Sequence, residues 1–518
     1  MLKKIRSTFL ISTSALLLVA AGCKKGTFDI NANNPNQPST VSPNLILSGA
    51  LKSAADLSVG NPGGGSQSGN DLFNLYMGYW AVSGDYIPSS ALLTYNLTSD
   101  FGSSIWDNSY PTLENLLQID KYYAATPVAG ANYLGISKIM KVFLYQRLVD
   151  IYNNVPYSAA LNGGANNFPS YDNGSVIYPS LVNQLDSAVA IIKAATAGAD
   201  NPGATYDVLY GGNMTKWVTF ANTLKLKILM NLTQSSGGPA YIQSKLTGLT
   251  TASFIGTGAD ATINPGYNNG AGNQQNPLWQ DIGYTTTLSD AGNKPYFRAC
   301  SYAVNFYKNT NDPRISLIYT VNSNGVVQGR AFGSTLGGTE HNTTISGIGG
   351  NPTGATQTSG LLKSASQGAV ILSSTESLFL QTEAVQRGYL TGTAAALYQS
   401  AVSESFRLLG VPSYAAAATT YTAQPGDNTN FIASSNPIKT IILQKWAALN
   451  TMDPLESWND WRRLGIPSDL PISVYPGTTA AHVPYRLLYP TSEYNYNTDN
   501  VNAQGSINAI TSKIFWMP

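Results

Sequence analysis

The sequence predicts a mainly α protein built from about four helical hairpins, and three observations carry that expectation. Amphipathic stretches of helical period recur in pairs along the chain. Residues that start and stop helices bound many of these stretches. The chain has 518 residues but only two cysteines, Cys23 and Cys300, so stability must come from a large apolar core rather than from a disulfide framework.

At the N-terminus a basic head (Lys3, Lys4, Arg6) precedes a short apolar run, Phe9 to Ala21, that ends in Ala20-Ala21-Gly22-Cys23. The run is too short to span a bilayer and has small residues before the cut, which is the pattern of a secretory signal. With Cys after the small residues, residues 1–22 read as a lipoprotein signal peptide and the Cys23 thiol as the site of acylation. A multiply acylated Cys23 would tether everything downstream. Residues 23–42 are rich in Asn, Pro, Ser and Thr without apolar period and read as a lipidated tether. Residues 43–518 then form a single domain.

Helix is expected from Pro43, with Ser42 as cap and proline in the first helical position, and again over Asp71–Val82. The pairs follow: Thr112–Ala125 with Leu134–Tyr152, Val176–Ala195 with Thr215–Leu232, Glu376–Tyr389 with Ala394–Leu409, and Ile438–Asn450 with Pro454–Leu464. Trp217, Ala221, Leu224 and Ile228 make one apolar stripe. Ser373-Ser374-Thr375-Glu376 matches a capping box, and Asp453-Pro454 opens a helix that Gly465 and Pro467 close. A hairpin cannot bury its apolar face alone, so the units should stack as in tetratricopeptide arrays, although no strict repeat period is visible. Between the second and third pairs, residues 247–367 form an insertion rich in Gly, Asn and Tyr. Its length marks it as a functional segment.

Composition narrows the function. Only 11% of residues are charged. Removing Lys3, Lys4 and Arg6 from the 29 basic residues leaves 26 against 28 acidic ones, so the basic face that nucleic acid demands is missing. Asn, Ser, Thr, Gly and 31 Tyr replace charge, which suits neutral, hydroxyl-rich ligands. The glycines of Gly347–Gly354 are not followed by Lys-Ser/Thr and do not make a phosphate loop. His341 and His482, the only histidines, lack metal-ligand spacing, and no cofactor is indicated.

Several separated motifs make the chain resemble the SusD/RagB outer-membrane lipoproteins of Bacteroidetes. They are Phe28-Asp29-Ile30-Asn31 with Asn34-Pro35-Asn36; Lys216-Trp217 to Asn231; Glu376 to Gly388; Gln444-Lys445-Trp446 with Glu456-Ser457-Trp458 and Trp461-Arg462-Arg463-Leu464-Gly465; and Arg486-Leu487-Leu488-Tyr489-Pro490 with Glu493 and Asn497. The resemblance implies tetratricopeptide-like hairpins forming a right-handed superhelix, with long irregular loops and minor β-hairpins on one face. It implies a lipid-anchored protein of the outer membrane, facing the exterior. Such a protein sits as a lid on a SusC-like TonB-dependent barrel and captures oligosaccharide, or in some members peptide, for import. It does not carry sugar specificity over.

Two regions combine rings that can stack on a pyranose with polar groups that can reach its hydroxyls, and the resemblance places ligand contacts in an early loop and a middle insertion. The first region is Tyr79-Trp80 with Asp85-Tyr86. The second holds Gln275-Asn276, Trp279, Asp281, Tyr284, Tyr296 and Arg298. Trp80, aided by Trp279, is the expected stacking platform. Other motifs read as structural: Trp458 and Trp461 share a helix face with Arg462 and Arg463 beside them, and Glu383 with Arg387 suits a helix ion pair. Glu376 and Glu383 would lie roughly 10 Å apart on one face, whereas a glycosidase needs carboxyls on opposite sides of the bond. The expectation is therefore a binding protein without catalytic residues; a hydrolase, a carrier of peptide or another nutrient, or a helical scaffold are the alternatives.

Overall fold

The computed structural model describes residues 41–60, 69–163, 166–336, 340–350 and 358–518. The leader, Cys23 and all but the end of the tether lie outside them. Eight helices form the expected pairs: α3 (Ser103–Tyr122) with α4 (Ala131–Tyr152), α5 (Gly174–Lys193) with α6 (Met214–Asn231), α9 (Ser374–Gln386) with α10 (Ala394–Leu409), and α11 (Pro437–Leu449) with α12 (Pro454–Leu464). Before them come α1 (Pro43–Val59) and α2 (Asn70–Tyr76); within the insertion lie α7 (Pro277–Ile282) and α8 (Ser301–Asn309). The chain is helix-rich and its strands are short.

Local chemistry explains several helix ends. Pro43 occupies the first turn of α1, whereas the expected cap, Ser42, makes no side-chain hydrogen bond there. Asn213, Asn436 and Asp453 cap α6, α11 and α12 by accepting from Lys216, Lys439 and Glu456 backbone N–H groups, and Gly465 closes α12 at φ +65°. Only half of the expected capping box forms at α9. Ser373 accepts from the Glu376 N–H, but the Glu376 carboxylate turns inward to Lys227. The start of α3 lies nine residues before the expected one because Pro111 sits inside the helix. The carbonyl it deprives of a donor, on Asp107, belongs to an exposed residue that water can satisfy.

The pairs stack in chain order. Helix α3 packs on α4, α4 on α5, α5 on α6, α6 on α9, α9 on both α10 and α11, and α11 on α12. Helix α12 returns to α2, so the last pair closes against the first part of the chain. Helix α4 is central: from Ile139 to Tyr152 every residue but Lys141 is buried, as expected of a helix covered on all sides. Gly135 lets α5 approach, since a Cβ there would lie 2.4 Å from Ile192 Cγ1.

The expected second helix, Asp71–Val82, is corrected. It stops at Tyr76, turns through Gly78 at φ +67°, and gives way to β1 (Trp80–Val82). Three antiparallel two-stranded ladders follow: β1 with β5 (Phe297–Ala299), β2 (Val155–Pro156) with β3 (Tyr171–Asp172), and β4 (Ala261–Ile263) with β6 (Ala369–Leu372). Two of them join segments more than a hundred residues apart, so they tie the insertion to the helical body rather than forming local hairpins.

Beneath the stacked pairs runs a buried ionic chain. Lys227 of α6 contacts Glu376 at 2.8 Å, Asp453 at 2.9 Å and Glu456 at 3.4 Å. Lys445 of α11 contacts Glu456 at 2.8 Å and Asp460 at 3.1 Å. Arg463 grips Glu383 through two 2.6 Å bonds and reaches Asp460 at 2.6 Å. Burial by itself raises the carboxyls, but facing cations outweigh it at two of them: Arg463 and Arg387 hold Glu383 at about 2, and Lys227 and Lys445 hold Glu456 at about 2. At Glu376 burial wins and the carboxyl rises to about 7.

These shifts fix a pH dependence. Glu383 and Glu456 are depressed below the ordinary 4.5, so their stabilisation is present above pH 4.5 and is lost as pH falls toward 2. Glu376 is raised, so its contribution is lost in the other direction, between pH 4.5 and 7. Thermal unfolding across pH 2–7 should show stability falling steeply below pH 4.5, and Glu383→Gln should flatten that acid limb. An unchanged acid limb in the variant would remove Glu383 from the account.

Candidate ligand-binding site

The β1–β5 ladder brings the two candidate regions together. Its register sets Trp80 opposite Ala299, Ala81 opposite Arg298 and Val82 opposite Phe297, so the residues after β1 emerge beside those before β5. The Ser83 N–H donates to the Tyr296 carbonyl at 2.8 Å. The Tyr86 and Tyr296 rings then meet edge to face, with centroids 5.5 Å apart and planes at 69°. Both are half-buried.

A third segment, around residues 340–344, completes the rim. Asp85 Oδ1 lies 2.7 Å from His341 Nδ1, and Asp85 Oδ2 accepts from the Asn342 N–H at 2.7 Å. The Asn342 N–H, then His341, hold the exposed Asp85 carboxyl below its usual range. Ser83 Oγ bonds Asn342 Oδ1. Gly84 permits this approach, because a Cβ there would lie 2.2 Å from the Glu340 carbonyl oxygen. The segment is anchored from below by Arg330, 1% exposed, which donates to the Val82 carbonyl at 2.6 Å and to Glu340 Oε2 at 2.8 Å. Neither His341 nor Arg330 stands out as a site residue in the sequence: each acts on the early loop from about 250 positions away.

The expected stacking platform is corrected. Trp80 is 1% exposed and Trp279 0%, so neither ring has a face to offer. Trp80 donates Nε1–H to Thr451 Oγ1 at 3.0 Å and packs on Phe297 at 4.8 Å. Trp279 sits under Tyr284, with centroids 5.3 Å apart. Tyr79 is equally buried: it stacks on Trp446 and donates to the Trp446 carbonyl at 2.6 Å. A strand explains the error, since three consecutive residues of β1 are buried on both sides while a helix end would have left one ring at the surface.

The remaining candidates divide. Tyr284 is half-buried, with Lys294 Nζ 3.2 Å above its ring, and Lys294 is paired with Asp290 at 2.9 Å. Arg298 is buried and donates inward to the carbonyls of Lys294 and Phe297, with burial lowering its pKa. Asp281 accepts from Asn293 at 2.7 Å and faces Asp71, whose carboxyl burial and then Asp281 push well above the usual range. Gln275 donates to Asn269 and the Tyr284 carbonyl, and Asn276 caps α7. These residues hold the insertion in shape. Asp85 and His341 are exposed, and Tyr86, Tyr296, Tyr284 and Lys294 are half-buried. Among the described residues no three His, Cys, Asp or Glu side chains form a metal-binding group.

Trp80→Ala should therefore behave as a core deletion, costing about 3–5 kcal/mol. Tyr86→Ala should cost far less. Denaturant unfolding of both proteins measures this, and a Trp80→Ala protein of undiminished stability would show that Trp80 is not a core residue.

Solved structures with the same architecture are numerous. A SusD homologue from Bacteroides uniformis superposes with a TM-score of 0.68 at 24% identity, covering 91% of this chain and 99% of that one. A homologue from Bacteroides vulgatus gives 0.73 at 19%, covering 91% and 97%, and a chitin-binding SusD homologue from Flavobacterium johnsoniae 0.71 at 21%, covering 91% and 98%. Among curated protein sequences nothing matches. Residues 35–490 match the family model described as "starch-binding associating with outer membrane", and with that extent of match the chain belongs to the SusD-like family.

Proposed function

We propose that the protein is a non-enzymatic, cell-surface lipoprotein that captures oligosaccharide and passes it to a SusC-like TonB-dependent outer-membrane barrel. The observation that carries the glycan reading is the β1–β5 register, which sets Tyr86 against Tyr296 with Asp85 and His341 at their edge. A pyranose presents C–H faces to rings and hydroxyls to such edge groups. The family's description and the chitin-binding relative support the same ligand class. Glu376 and Glu383, the pair that most suggests glycosidase carboxyls in the sequence, are ion-paired in the core and do not face a ligand.

A glycan array on the purified protein should identify a neutral oligosaccharide. Tyr86→Ala and Tyr296→Ala should each weaken it by ~1 kcal/mol, roughly fivefold, with little change in melting temperature. Unchanged affinity in both variants would move the ligand elsewhere.

The anchoring half of the proposal rests on Cys23 behind its small-residue cut site, and the partner half on family membership. No helix of the described residues is long and apolar enough to cross a membrane. Membrane-bound protein should take up labelled palmitate and co-purify with a TonB-dependent barrel in mild detergent, while Cys23→Ser should be released in soluble form. Labelling of the Cys23→Ser protein, or its retention in the outer membrane, would defeat the anchor.

A further inference from the structure

Helix α8 presents an aromatic and amide stripe to a cleft that the preceding site does not use. Tyr302, Asn305, Phe306 and Asn309 fall at i, i+3, i+4 and i+7, one face of a helix. The opposite face, with Ala303, Val304 and Tyr307, is buried. The outward face borders a cleft of about 440 Å³ whose far walls carry Asn428, Lys439 and Asp469. That volume falls within the ~300–1,000 Å³ of small-molecule sites.

The walls are fixed while the groups that face the cleft are free. Trp446 buttresses both rings edge-on, at 5.5 Å from Tyr302 and 5.1 Å from Phe306. Tyr302 donates its hydroxyl to Asp469 at 2.7 Å, bracing one end. Gln444 holds the opposite loop by donating to the Asn428 carbonyl at 2.9 Å. By contrast, the side-chain amides of Asn305, Asn309 and Asn428 make no hydrogen bond among the described residues, and all three residues are exposed. Lys439 and Asp469 place one charge of each sign at the walls, so the cleft exerts no net pull on an ion. Rigid rings beside uncommitted amides are the composition that a hydroxyl-rich, uncharged ligand requires.

We propose that this cleft is a second saccharide-binding subsite, taking a short segment of neutral oligosaccharide against Tyr302 and Phe306 with the three asparagines at its hydroxyls. It lies past the far end of β5 from Tyr296, so it binds independently of the Tyr86–Tyr296 patch. The inference rests on the glycan reading above for its ligand class, but it has its own residues and its own test.

Calorimetric titration of the purified protein with neutral trisaccharides (maltotriose, chitotriose, mannotriose and xylotriose) should find two sites per chain for at least one of them. The double variant Asn305→Ala/Asn309→Ala, at exposed positions that leave the packing against Trp446 intact, should remove one site or weaken it at least tenfold with unchanged melting temperature. Tyr86→Ala should spare that site. If binding survives Tyr86→Ala and is lost in the double variant, the cleft stands whatever becomes of the Tyr86 patch. If the double variant binds as the parent does, or Tyr86→Ala abolishes all binding, the cleft is overturned and the glycan reading survives. Absence of binding by every trisaccharide would overturn both.

Discussion

The buried ionic chain from Lys227 to Arg463 is the constraint on which the arrangement of the helical pairs depends. It draws on α6, α9, α11 and α12, three of the four pairs, and Arg147 of the central helix α4 approaches Asp453 at 4.0 Å. Desolvating so many charges is costly, and a buried ion pair is weak grounds for net stability. Its effect is on register. Lys227 and Arg463 each touch carboxylates of both α9 and α12, and Lys445 ties α11 to two carboxylates of α12, so sliding one helix by a turn would strand several charges in a low-dielectric interior at once. Apolar packing tolerates small slips between helices; this chain does not.

The same residues explain what was legible in the sequence. Lys227 lies in the segment from Lys216 to Asn231, Glu376 and Glu383 in the segment from Glu376 to Gly388, Lys445 in Gln444-Lys445-Trp446, and Glu456 and Arg463 in the two motifs of α12. Three of the five motifs by which the chain resembles its family thus supply parts of one clamp, distributed over more than two hundred residues. Their helices were readable because period and caps are local signals. Their partnership was not: nothing near Lys227 in sequence announces Asp453. Arg463 and Trp458 read correctly as packing, and the structure gives the reason, with Arg463 gripping Glu383 and Arg462 lying 3.5 Å over the Trp458 ring.

The site was legible as regions and illegible as residues. Aromatic and polar composition pointed to residues 79–86 and to the insertion, and the β1–β5 ladder joins them. Which rings face outward depends on that ladder, whose partners stand 219 positions apart at Trp80 and Ala299. A helix end at Trp80 would leave its ring exposed, whereas the strand buries it; Trp279 is buried separately, in α7 beneath Tyr284, and the surface is left to Tyr86 and Tyr296. Pro111 misled in the same way on a smaller scale, because the exposure that makes an interior proline tolerable is a tertiary property.

Scaffold and surface therefore use opposite chemistry. Inside, a cluster of buried charge, Lys227, Lys445 and Arg463 with their carboxylates, fixes helix register. Outside, the two faces flanking β5 rely on tyrosine, phenylalanine and asparagine. An exposed charge would favour ions and hold water against a neutral sugar, while amide and phenol groups exchange water for hydroxyl at small net cost. Rings supply area with few rotors to freeze. On the Tyr86 side the charged rim is held in place, His341 and Asn342 fixing Asp85 beside the paired rings. The surface loops are thus ordered by contacts of their own, separate from the ionic clamp that holds the fold.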